Sequence, residues 1–255
     1  MELGLTGKTV LVTGGSKGIG LACAQAFLAE GARVAICSRA QANIDAALKD
    51  LPGAIGFTAD LTDAGAAASM LEQAQAALGP LDVLVNSAGA ARRVVPEDLT
   101  PALWRTALDA KFFSYINVID PVVKTMAARG FGVIVNIIGN GGKVANPVHI
   151  AGGAANAALM LATAGLAAAY GRQGVRVVGL NPGLTATGRV TSFLETKAQS
   201  EGITTTQALE RAVADIGLGR MADPEDIANM ALFLASDRAS YVSGVTIGMD
   251  GVTTP

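Results

Sequence analysis

Short apolar, β-branched runs alternate with longer alanine-rich stretches along most of this chain, and the alternation predicts strands and helices by turns. The runs are Lys8–Val12, Arg33–Arg39, Ile55–Leu61, Leu81–Val85, Gly132–Ile138 and Val175–Leu180. They are short and almost continuously apolar, the pattern of strands buried in a sheet. Between them, Leu21–Glu30 carries apolar residues at helical spacing and stops at Gly31, and Gln41–Asp50 and Thr62–Leu78 read as further helices. Thr100 followed by Pro101 is a cap with proline in the first turn, and it opens a long helix through Leu103–Met126. A second long helix is expected over Gly153–Tyr170, and Arg189–Ile216 is polar and helical. No repeat, low-complexity linker or composition break divides the chain. One α/β domain over 1–255 is expected.

Composition narrows the setting. The 255 residues are 51% apolar and 16% charged, enough for one large core. A net charge of −2 gives no basic footprint, which argues against a nucleic-acid partner. Cys23 and Cys37 sit at apolar positions, and no secretory leader pattern is seen, so a reduced, cytoplasmic protein is expected. Glycines and charges interrupt each apolar run short of the roughly 20 residues that span a bilayer, so no membrane segment is expected.

The first strand runs directly into Thr13-Gly14-Gly15-Ser16-Lys17-Gly18-Ile19-Gly20 and then a helix. In such a strand–turn–helix, Gly14 allows the sharp turn, Gly18 lets backbone approach a pyrophosphate, and Gly20 allows close helix packing. The helix N-terminus offers free N–H groups to the anion. The second strand ends in Ser38-Arg39, where an acid would favour a ribose hydroxyl. With Arg39 there and Lys17 in the loop, the cofactor expected is NADP(H). The fold class is a doubly wound Rossmann domain, with a mostly or fully parallel sheet of about seven strands flanked by helices.

The octapeptide Thr13–Gly20 resembles the TGxxxGxG loop of the short-chain dehydrogenase/reductase family, and similar segments recur along nearly the whole chain. Asn86-Ser87-Ala88-Gly89, continuing into Ala90, resembles NNAG, and Asn181-Pro182-Gly183-Leu184-Thr185-Ala186-Thr187 resembles PGxxxT. Gly219–Ala228 and Tyr241–Gly244 resemble the last helix and last strand, ending near Asp250-Gly251. The resemblance implies that Asp60 and Leu61 lie against adenine, although Asp60 reads equally as the cap of the helix over Thr62–Leu78. It implies that Asn86 bonds backbone to hold the sheet, that Ala88 and Gly89 pass the ribose, and that Pro182, Gly183, Thr185 and Thr187 flank the nicotinamide. Residues 189–216 would form the substrate lid.

The catalytic positions depart from that pattern. Where the resemblance expects Ser, Tyr and Lys, the chain has Gly139, Gly152 and Asn156, and Lys111 stands where an Asn is usual. Asn156 can still bond a ribose hydroxyl. Gly152 leaves a phenol-sized space, open to a substrate group, to water or to Lys111 reaching across. Losing a placed general acid costs about 10² to 10⁴ in rate, so a substitute is needed. Lys111 and His149, the single histidine, are the candidates. Asn140 and Lys143 read as turn or substrate contacts, and no metal-ligand set is proposed.

The first functional reading is an NADP(H)-dependent oxidoreductase acting on a small carbonyl or alcohol with non-standard acid/base groups. The alternatives are an inactive nucleotide-binding homologue, or a lyase or isomerase using the same pocket. Small residues on the helical faces of 153–170 and the neighbouring 103–126 helix predict a homo-dimer or homo-tetramer.

Overall fold

A computed structural model describes residues 2–89 and 91–253; Met1, Ala90, Thr254 and Pro255 lie outside the described residues. Seven strands form one sheet in the order β3-β2-β1-β4-β5-β6-β7. They are β1 (Thr9–Thr13), β2 (Arg33–Ser38), β3 (Ile55–Thr58), β4 (Val83–Asn86), β5 (Gly132–Ile137), β6 (Val175–Pro182) and β7 (Thr246–Met249). Every pairing is parallel, as the continuous burial of β1, β4 and β5 requires. The order reverses between β1 and β4, which opens a crevice at their C-terminal ends.

Helices α1 (Gly18–Ala29), α2 (Gln41–Leu48), α3 (Ala64–Leu78), α4 (Pro101–Leu108), α5 (Ser114–Arg129), α6 (Ile150–Tyr170), α7 (Gly188–Glu201), α8 (Thr205–Ala214) and α9 (Pro224–Ala235) complete the chain. Two apolar layers cover the sheet. One includes Phe27 of α1 and Ile227 of α9, the other Met70 of α3 and Tyr115 of α5. Helices α7 and α8 fall on the expected 189–216 stretch and have a small core of their own, Leu194, Ala198 and Ala208.

Local signals explain the boundaries and correct two of them. Thr100 accepts from the Leu103 N–H at 3.3 Å with Pro101 behind it, as expected. The cap of α3, however, is Asp63, whose side chain accepts from the Ala66 N–H at 2.8 Å. Asp60 instead accepts from the Thr62 N–H and hydroxyl, closing a turn before the helix begins. The long helix expected over Leu103–Met126 is not regular, because Asp109–Phe113 forms a π turn between α4 and α5. Such an extra residue commonly marks a functional position.

Contrary to expectation, the helical segment Pro147–Gln173 is long and apolar enough to cross a membrane by length and composition. It is a core helix: Ala151, Ala155, Leu159, Thr163 and Ala167 are buried, and the Thr163 hydroxyl accepts from Asn136 of β5 at 3.0 Å.

Candidate active site

Three strand ends meet at one level of the crevice. Thr13 lies opposite Asn86, and Asn86 opposite Asn136. The Thr13 hydroxyl donates to Asn86 Oδ1 (3.3 Å), Asn86 Nδ2 to Asn136 Oδ1 (3.0 Å), and Asn136 Nδ2 to the Thr163 hydroxyl (3.0 Å), which donates to the Leu159 carbonyl (2.8 Å). All four side chains are buried, so each bond replaces one that water would make. Asn86 thus holds the sheet through side chains and not, as expected, through backbone. The sequence reading missed Asn136 and Thr163; a polar residue in each apolar element was the available signal.

Above this row the loops converge. Gly14 has φ +66°, and a β-carbon there would lie 2.8 Å from Ala88 Cα, so only glycine lets the loops after β1 and β4 touch. The Thr13 hydroxyl accepts from the Ser87 and Ala88 N–H groups, pinning that contact. Gly89 has φ +87° and faces the Ala110 carbonyl of the π turn at 2.1 Å from where a β-carbon would stand. Gly18 lies beside Thr187, bringing the glycine loop to the segment after β6. Lys17 at the start of α1 makes no side-chain cap, so the first N–H groups of that helix face the crevice uncapped by it. Ser16 is buried within the loop, and Ile19 packs on the core.

At the far end of β2, Ser38 is half-buried and Arg39 exposed. The charge of Arg39 and the Thr62 bonds hold the Asp60 carboxyl below its ordinary range, the bonds contributing most. An acid therefore does stand near Arg39. Leu61 turns its side chain into the core and its carbonyl accepts from Asn117 at 2.9 Å. At the opposite side Pro182 is buried, the Gly183 N–H donates to Met249, and the Thr185 hydroxyl is spent on the Gly183 carbonyl at 3.2 Å.

The catalytic candidates come together. Lys111, His149, Gly152, Asn156, Gly89 and Arg189 line a cavity of about 60 Å³. The Lys111 ammonium, 7% exposed, donates to Tyr115 Oη (2.8 Å) and to the Ile137 carbonyl (3.0 Å). Burial, aided by the Arg189 charge, lowers its pKa from 10.5 to about 7. His149 is held by its backbone, whose N–H donates to the Asn146 carbonyl at 2.9 Å, while Asn146 caps the same turn through the Val148 N–H at 3.0 Å.

The imidazole of His149 fills the space beside Gly152. A β-carbon on Gly152 would lie 2.1 Å from Cε1, 2.5 Å from Nε2 and 2.7 Å from Nδ1. Gly141 faces the same ring, and Gly139, with φ +115°, faces the Asn156 amide. The space that the sequence left to a substrate group, to water or to Lys111 is thus occupied by this ring. Its Nδ1 is buried with no hydrogen-bond partner among the described residues. Burial first, then the charges of Arg93, Arg189 and Lys111, lower the His149 pKa, so the ring is neutral at neutral pH. On its other side His149 borders a larger chamber of about 210 Å³, walled by Leu99, Leu103, Ala107, Val148 and Ile150. Asn140 of the intervening loop donates to Asp250 at 3.0 Å.

A family profile described as enoyl-(acyl carrier protein) reductase matches residues 14–253. The chain is 35% identical over 251 residues to galactitol 2-dehydrogenase (L-tagatose-forming) of Cereibacter sphaeroides, covering 97% of this chain and 95% of that one. It is 32% identical over 257 residues to 3alpha-hydroxysteroid dehydrogenase of Mediterraneibacter gnavus, covering 98% of both. Among solved structures, it superposes on L-sorbose reductase from Gluconobacter frateurii, complexed with NADPH and L-sorbose, with a TM-score of 0.93, 26% identity and 98% coverage of both chains. Actinorhodin polyketide ketoreductase with NADPH gives a TM-score of 0.92 at 29% identity, covering 96% of both chains. A match of this extent, with the crevice and its loops in place, establishes that the chain belongs to the short-chain dehydrogenase/reductase family.

Proposed function

We propose that this protein is an NADP(H)-dependent oxidoreductase that interconverts a small carbonyl compound and its alcohol, with His149 in place of the usual acid/base group. The observation that carries this reading is the imidazole lodged beside Gly152, in the wall of a cavity at the crevice.

The crevice suits the cofactor. The glycine at 14 lets the loops after β1 and β4 close on one another, and the start of α1 has no side-chain cap. Gly14, Ser16, Lys17, Gly18, Ile19 and Gly20 would hold the pyrophosphate, Ser38 and Arg39 the 2′-phosphate, and Asp60 the adenine side. Asn86 supports, and Ala88, Gly89 and Asn156 adjoin, the nicotinamide ribose. Pro182, Gly183, Thr185 and Thr187 would flank the nicotinamide. NADP(H), when bound, supplies the hydride donor or acceptor.

The chain's own residues handle the proton. The neutral His149 ring accepts the hydroxyl proton during alcohol oxidation, and its protonated form returns that proton during reduction. Lys111, anchored by Tyr115 and Ile137, exchanges protons near pH 7 and as an ammonium steadies negative charge on the reacting oxygen. Helices α7 and α8, packed on their own small core, would close over the substrate. The exposed apolar stripe of α6, including Leu161 at 77% exposure, supports a homo-dimer or homo-tetramer, and the free buried thiols of Cys23 and Cys37 fit a cytoplasmic setting.

The test is NADPH consumption with a panel of small ketones and aldehydes, repeated with His149→Ala. Turnover that falls about 10²-fold or more in the variant, at unchanged NADPH affinity, supports the reading. No NADPH consumption with any carbonyl refutes the oxidoreductase, and full activity of His149→Ala refutes the role of the ring.

A further inference from the structure

Three basic side chains from separate elements line the small cavity, and a fourth acts on them electrostatically. Lys111 comes from the π turn, His149 from the loop before α6, Arg189 from the first turn of α7, and Arg93 from the loop after β4. The last loop is clamped beside His149, because the Val94 N–H donates to the Val148 carbonyl at 3.0 Å. Lys111, His149 and Arg189 line the cavity itself. Arg93 stacks on the Phe193 ring of α7 at 4.4 Å, which restrains its guanidinium, and its charge reaches His149.

These basic groups act on one another. The Arg189 charge acts on Lys111, His149 and Arg93, and the Arg93 charge acts on His149. No carboxylate is among the groups acting on those three. Among the described residues, none of the four basic groups forms an ion pair with an acid. Collecting like charges around a space with room for a few atoms is unfavourable until something negative enters it. Guanidinium groups also match the two oxygens of a carboxylate or phosphate better than they match a neutral hydroxyl.

We propose that the substrate is an anionic hydroxy or oxo compound, its carboxylate or phosphate held by Arg93 and Arg189 while its oxygen-bearing carbon lies at His149. The proposal rests on the reading of this cavity as the substrate site, and it names the charge that the site selects.

The chain has a single histidine, so its imidazole C–H signal in proton NMR belongs to His149 without further assignment. The cofactor-free protein is titrated with 3-hydroxybutyrate and with its amide, and separately with glycerol 3-phosphate and with glycerol. The acid of at least one pair should shift the signal and raise its titration midpoint by about half a unit or more, while its neutral partner binds about tenfold more weakly. Which pair responds tells a carboxylate site from a phosphate site. Arg93 and Arg189 are both exposed, so R93Q and R189Q should fold normally, each weakening the acid by about tenfold. The proposal is overturned if neither acid moves the signal, if the neutral partners bind as well as the acids, or if both variants retain the acid's affinity within about twofold. Because the readout needs no cofactor, an anion that binds at His149 without any NADPH consumption would sink the oxidoreductase reading and leave this one standing. Ketone reduction blind to substrate charge would do the reverse.

Discussion

Gly152→Ala tests where the imidazole sits. Inside a helix such as α6, alanine is favoured over glycine by up to about 1 kcal/mol, so the change would ordinarily stabilise the protein. Here the new methyl would lie 2.1 Å from His149 Cε1, and displacing a packed group costs about 1 to 3 kcal/mol. The two effects set the expected net loss at roughly 1 kcal/mol. With the ring removed by His149→Ala, only the helical gain is left, and Gly152→Ala should then stabilise by up to about 1 kcal/mol. The sign therefore reverses between backgrounds, with a coupling of about 1 to 3 kcal/mol, readable from urea unfolding of the four proteins. If Gly152→Ala stabilises the unaltered protein as much as it stabilises His149→Ala, the ring does not fill that space and its assignment fails. The same overlap means that a tyrosine placed at 152 can be seated only if the His149 ring is displaced.

Three further expectations follow from other parts of the molecule. Lys111 has a folded pKa of about 7 against an ordinary 10.5, so between those values the unfolded chain binds the extra proton and stability rises with pH. Urea melts from about pH 7 to 8 should show that rise shrink in Lys111→Met; an unchanged slope would contradict a neutralised buried lysine. The window stops there because burial pushes the Cys23 and Cys37 thiols from 9.0 up to about 12, and stability falls as pH climbs through their ordinary value. Arg39→Asp should weaken NADPH about tenfold or more and leave NADH bound at least as well, by calorimetry; equal losses would remove Arg39 from the 2′-phosphate site. Leu161→Glu should shift a dimer or tetramer toward monomer in sedimentation at micromolar concentration, while a wild-type monomer there would dismiss the α6 interface.

The fold was legible because its signals are local and repeated. Each strand is a short apolar run, Thr100-Pro101 announces its helix, and the glycine loop lies directly between β1 and α1. What escaped depends on contacts between distant segments or on a single residue of phase. A helical period cannot show the π turn at Asp109–Phe113, since one added residue leaves the apolar face nearly intact. Asp60 and Asp63 both precede α3 within one turn, and the backbone decided which one caps it. Lys111 and His149 could be chosen by residue type, but the position of the imidazole depends on the path of a loop held by Asn146 and Val94. Arg93 and Arg189 each read alone as a surface charge; the tertiary fold brings Arg189 to the cavity and Arg93 within electrostatic reach of His149.

The polar row beneath the crevice has a direction. Each donor points from Thr13 toward Leu159, and both amides have an obligatory orientation. Turning Asn86 alone would set its oxygen against that of Asn136. Turning both would leave the Thr13 proton without an acceptor and take the Thr163 proton from Leu159. The row therefore switches as a whole or not at all, and β1, β4, β5 and α6 behave beneath the ligand as one interlocked plate. Helices α7 and α8 lie outside this row and rest on a core of their own, with Arg189 in the first turn of α7.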